Sequence, residues 1–131
     1  MKFIVLGYYD PKKFEAMSES DRNAMFDTCL AYDDVLRKDG NFVGGEALQP
    51  IVRKVHSKNG KVQAVDGPFA ETKELIGGLM FLEARDLDHA AELISKHPAV
   101  VAGNTFEIRP VADMTEIFSA SERRRVAAGK R

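Results

Sequence analysis

Two stretches of helical periodicity, each set between β-type apolar runs, constrain this chain more than any other feature. In the first, Met25, Cys29, Tyr32 and Leu36 recur at spacings of three and four, and Phe26 and Leu30 widen the stripe. Such spacing puts the side chains on one helical face. A helix is therefore expected from about Ser20 to Asp39, capped by Ser18 or Ser20, with acidic residues in its first turn and Gly40 as a left-handed stop. In the second, Leu87, Ala90, Ala91 and Ile94 form one face after a capping Asp86, and Pro98 closes the segment.

The runs around these helices read as strands. Lys2 to Tyr9 is β-branched and aromatic and ends at Asp10-Pro11. Phe42 to Leu48 follows the first helix, and Ile51 to His56 alternates apolar with polar residues. Asn59-Gly60 is the strongest short hairpin signal, because both central residues of such a turn take positive φ. Val62 to Val65 returns, Leu79-Met80-Phe81-Leu82 suits a buried strand, and Thr105 to Arg109 alternates again. A capping box, Ser119-x-x-Glu122, precedes a short basic helix.

Setting the Asn-Gly hairpin aside as an insertion leaves β-α-β-β-α-β, the ferredoxin-like split βαβ pattern of an α+β protein. Both helices then cover one face of an antiparallel sheet. The other face carries apolar side chains and needs a cover, which a second copy supplies economically. The expectation is a homodimer with a cavity between sheets. Residues 1–112 are read as one domain, followed by a basic helical tail over 113–131.

Composition narrows the functional classes. The chain has 131 residues, 44% hydrophobic and 30% charged, the balance of a soluble globular domain. Its longest apolar runs fall short of the roughly 18 residues of a membrane span, and the opening reads as a strand rather than a secretory signal. Cys29 stands alone, which excludes an internal disulfide framework and fits a reducing cytoplasm. His56, His89 and His97 are widely spaced without a second cysteine, so neither a metal nor a cofactor is indicated. A net charge of −1 provides no field to attract nucleic acid, despite the tail cations Arg123, Arg124, Arg125, Lys130 and Arg131.

The stretch DGPFAETKELIGG, residues 66–78, joins two strands and carries a dense set of charges. With Gly44-Gly45-Glu46-Ala47-Leu48 before it, and DLDHAAELISKHP and Glu107-Ile108-Arg109-Pro110 after it, the chain resembles the YCII-related proteins, specifically their DGPF subgroup. The resemblance covers about residues 1–112 and implies a dimeric α+β barrel of ferredoxin-like units, with no single reaction attached. The wider family suggests an acid/base pair, a histidine on the first helix and an aspartate in an Asp-Pro pair after the second. Here those places read Cys29-Leu30-Ala31-Tyr32 and His97-Pro98, so the pair does not carry over as it stands. The resemblance does carry Asp66, Glu71, Lys73 and Arg109. The subgroup's association with alternative sigma factors adds a regulatory partner as an expectation.

Asp66 and His97 are the candidate catalytic residues. Asp66 before Gly-Pro suits an Asx-type turn, or a carboxylate acting as base or as orienter of a histidine. His97 suits a helix end, or an acid/base role at a cleft. Glu71, Lys73 and Arg109 are candidate ligand contacts, or a solvated ion network. Cys29 is a small hydrophobe on the helical stripe, or a thiol facing the cavity near His97. Two functions follow. One is acid/base chemistry of isomerase, lyase or dehydrohalogenase type on a small cyclic substrate. The other is a non-catalytic ligand-binding or regulatory module linked to sigma-factor signalling.

Overall fold

A computed structural model of the chain describes residues 1–67 and 74–129. The elements run β1 (Lys2–Tyr9), α1 (Pro11–Ala16), α2 (Glu19–Lys38), β2 (Phe42–Ala47), β3 (Arg53–Lys58), β4 (Lys61–Asp66), β5 (Leu75–Glu83), α3 (Leu87–Ser95), α4 (Pro98–Val101), β6 (Phe106–Pro110) and α5 (Thr115–Ala127). β2, β5, β1 and β6 form one antiparallel sheet in that order, and β3 and β4 pair separately. This is the ferredoxin-like arrangement, with the hairpin as an insertion between the second and third strands of the main sheet.

Period-two alternation decides which side of the sheet is filled. Phe3 and Val5 of β1 lie opposite Leu82 and Met80 of β5, and all four are buried. Leu36 of α2 and Ala90 and Ile94 of α3 complete the core, with Phe106 and Ile108 of β6 packed against it. The intervening positions, Ile4 opposite Phe81 and Leu6 opposite Leu79, point to the other face. There Phe81 is 42% exposed. The helices thus cover one side and leave an apolar surface on the other.

Close packing explains two glycines. A Cβ on Gly45 would lie 2.8 Å from the Leu79 carbonyl oxygen, and one on Gly77 would lie 2.7 Å from the Tyr9 ring. Either contact is too short for a side chain; the Leu79 oxygen is backbone, so β2 sits against β5 as it does because of Gly45, and Gly77 makes room for the Tyr9 ring. At the hairpin tip Asn59 has φ of 53° and Gly60 of 77°, the double positive φ expected of an Asn-Gly turn.

Several ends fall differently from the sequence expectation. Asp10-Pro11 ends β1 but also starts α1, because Asp10 accepts the Lys12 N–H at 3.0 Å and proline is favoured in a first helical turn. Ser18, not Ser20, caps α2 by accepting the Asp21 N–H at 3.0 Å. Pro98 opens α4 rather than only closing α3. The expected capping box does not form: α5 already begins at Thr115, which leaves Ser119 and Glu122 inside it.

Candidate functional site

The site grows from the helical period of α2. Cys29 and Asp33 are four residues apart and share one side of the helix. One residue before Asp33, Tyr32 donates its hydroxyl proton to the Leu93 carbonyl at 2.6 Å and ties α2 to α3. Across from them His97 sits between α3 and α4 as the N-cap of the latter. Its Nδ1 accepts the Ala99 N–H at 3.2 Å, which requires that nitrogen to be unprotonated. The ring proton is therefore on Nε2, where it is donated to Asp33 Oδ1 at 3.1 Å. A backbone cap thus selects the tautomer that meets the carboxylate.

Packing holds the ring in that orientation. The Tyr32 ring stands edge-on to the imidazole with centroids 5.6 Å apart, and Phe106 lies 4.7 Å away on β6. His97 is 4% exposed. The Asp33 side chain is 18% exposed, and among the described residues His97 is its one hydrogen-bond partner. The outcome is a partly accessible carboxylate backed by a buried, oriented imidazole. Phe106 belongs to the helix-covered side of the sheet, so this pair stands there and not on the open face where a cavity between sheets would form.

Cys29 joins the same cluster. Burial and, after it, the Asp33 charge both push its thiol upward, while the Ala99 N–H pulls the other way. The two dominant influences hold the sulfur in its thiol form, which works against its use as a nucleophile. Among the described residues no group of three or more metal-ligating side chains occurs.

The other candidates lie elsewhere. Asp66 is the last residue of β4 and accepts from Arg53 Nε at 2.6 Å across the hairpin. Both partners of this pair are largely exposed, so it contributes little to stability. Arg53 also lines a shallow groove of about 740 Å³ with Tyr8, Leu48, Ile51, Val52 and Ile76 at the base of the hairpin. None of the Cys29, Asp33 and His97 set lines that groove. Arg109 is exposed on β6 opposite Ile4. Glu71 and Lys73 fall outside the described residues. The structure therefore brings together Cys29 and His97, and leaves Asp66 and Arg109 apart from them. Asp33 is the residue that sequence reasoning missed; its one local signal was the Cys29-x-x-x-Asp33 spacing on the stripe.

Fold and site together define an α+β protein of ferredoxin-like topology with a carboxylate–imidazole pair between its helices. The chain belongs to the YCII-related family, whose domain profile matches residues 1–115. It is 32% identical to an uncharacterized protein of Rhizobium meliloti (strain 1021), over 86% of this chain and 93% of that relative. Among solved structures it is similar to the 5-chloro-2-hydroxyhydroquinone dehydrochlorinase of Burkholderia phenoliruptrix, in complex with 2,5-dihydroxybenzoquinone. That likeness has a TM-score of 0.52 at 16% identity, covers 86% of this chain and 94% of the other, and is one of fold. The pair joins the two helical segments. Asp33 comes from the long helix α2, and His97 follows α3.

Proposed function

We propose that this protein is a small-molecule acid/base catalyst in which Asp33 is the proton-transferring group and His97 its positioning partner. The observation that carries the reading is the 3.1 Å contact from His97 Nε2 to Asp33 Oδ1, on a ring whose other nitrogen is already committed to the backbone. An imidazole with both nitrogens engaged has no free lone pair for a substrate. The less buried carboxylate does, and the donated N–H orients it.

Asp33 takes a proton from a C–H or O–H of a small cyclic substrate and returns it at another atom, or the bond electrons expel a leaving group such as halide. The fold neighbour's printed activity, loss of chloride from a hydroxylated ring, supports elimination as the reaction class. Edge-on Tyr32 and tilted Phe106 pack on the imidazole and hold it behind the carboxylate. The protein is further taken to work as a homodimer, a reading supported by the apolar open face of the sheet.

Chloride release from 5-chloro-2-hydroxyhydroquinone is the first assay, with melting in the presence of 2,5-dihydroxybenzoquinone as the binding measurement. Asp33→Asn keeps the hydrogen-bond acceptor and removes the base, and is expected to lower kcat by roughly 100-fold or more. Full turnover in Asp33→Asn would overturn the assignment. A second reading, a non-catalytic module in which the pair only clamps α2 to α4, is favoured by the engagement of both ring nitrogens. Ligand-dependent stabilisation without any product, together with capture of a sigma factor, would select it.

A further inference from the structure

The apolar residues of the C-terminal helix α5 are barely covered by the described part of its own subunit. None of its residues is buried, and only Ala120 and Ser121 reach intermediate exposure. Met114, Ile117 and Phe118, spaced three and four apart, are 36%, 56% and 64% exposed and lie on one side of its first turns. Its start is tied only locally, by the Thr115 N–H to Asp113 Oδ1 at 3.0 Å, a bond within one turn of the chain. A helix of 13 residues is at best marginal in water without packing on something.

The surface area says how much cover is missing. The chain exposes 9800 Å². A compact monomer of 14.5 kDa exposes about 6,900 Å². The excess of roughly 2,900 Å² is well above the ~800 Å² that each partner of a standard stable interface buries. Exposed apolar or unpacked surface occurs at α5, at the wholly exposed hairpin β3–β4, and on the open sheet face around Phe81. α5 starts from the sheet, because it follows the edge strand β6 by four residues, and the Val111 N–H still bonds the Lys2 carbonyl at 2.9 Å.

We infer that α5 is an intersubunit arm that docks, through Met114, Ile117 and Phe118, on a second copy of this chain. This goes beyond the homodimer reading by assigning the helix that holds the dimer. A second copy laid on the open face meets α5 at the β6 rim and removes both apolar surfaces from water in one association. The Arg123–Arg125 segment then sits at the end of the arm away from the apolar contact.

The test is sedimentation equilibrium of the full chain and of the double variant Ile117→Glu, Phe118→Glu, with circular dichroism confirming the fold. The wild-type chain is expected to be a dimer at micromolar concentration. Each buried side chain contributes about tenfold to association, so the double variant is expected to weaken it by about 100-fold. A chain ending at Asp113 is expected to do the same. A wild-type dimer unaffected by either change would overturn the arm and spare the homodimer. A wild-type monomer would overturn both, and a monomer that co-sediments with anionic vesicles would give α5 to a membrane surface instead.

Discussion

Replacing His97 with asparagine separates the carboxylate pair from the helix cap that shares its ring. Asparagine is among the best N-capping residues, so the Ala99 N–H keeps an acceptor. Its shorter side chain does not reach Asp33, and it presents no ring to Tyr32 and Phe106. The lost hydrogen bond to a charged group is worth about 1.5–3 kcal/mol, and each aromatic contact about 0.5–1.5 kcal/mol. A total near 3 kcal/mol follows. For a chain of this size it lowers the melting temperature by roughly 10 °C. Asp33→Asn is the paired control. It leaves an oxygen for the Nε2 proton and little changed volume, so its expected cost is below about 1 kcal/mol. Both variants are melted beside the wild type at one protein concentration, because dimer association makes melting concentration-dependent. A His97→Asn protein that melts within ~2 °C of wild type would refute the account of the pair. So would an Asp33→Asn protein as unstable as His97→Asn.

Four further outcomes are expected. Iodoacetamide should label Cys29 faster in Asp33→Asn than in wild type at the same pH, since one of the two influences raising the thiol is gone; equal rates would separate Asp33 from the sulfur electrostatically. Because the folded thiol lies above its ordinary 9.0, the unfolded chain ionises first. The Cys29 contribution is constant below that value and falls as pH rises from there through the folded pKa; a Cys29→Ala protein should have a shallower alkaline slope in urea titrations, the Tyr32 hydroxyl, also raised by burial, keeping the remainder. Gly45→Ala should cost about 1–3 kcal/mol in the urea midpoint, because the new Cβ meets the Leu79 backbone oxygen at 2.8 Å; an unchanged midpoint would mean that β2 shifts freely. Asn59→Ala, placed at φ of 53°, should cost about 1 kcal/mol and speed amide exchange in β3 and β4 alone; faster exchange in β1 and β5 as well would contradict the hairpin's independence.

What could be read in advance was whatever depends on near neighbours in the chain. The stripe from Met25 to Leu36 predicts α2 because a helix brings residues three and four apart together, whatever lies beyond them. Asn59-Gly60 predicts its turn because the backbone angles are a property of those two residues. The six-residue α1 escaped because it is too short to show a period, and Pro11 reads equally as a terminator and as a first helical residue. At the tail the Ser119-x-x-Glu122 pattern misled: α5 had begun four residues earlier, at Thr115, and the serine falls in its interior.

The candidate site divides along the same line. Cys29 and His97 were visible as residue types able to do chemistry, and Asp33 was visible only as one acidic residue in a helix rich in them. The chain by itself determined the order of strands and helices, the hairpin insertion and the side of the sheet that would be buried. Those follow from periodicity and turn chemistry, which act over a few residues. Tertiary structure alone decided that Asp33, 64 residues from His97, would accept a hydrogen bond from its Nε2–H, and that Asp66 would pair with Arg53 instead. A contact of that separation is set by how α2 and α4 pack on the sheet, and no local spacing encodes it.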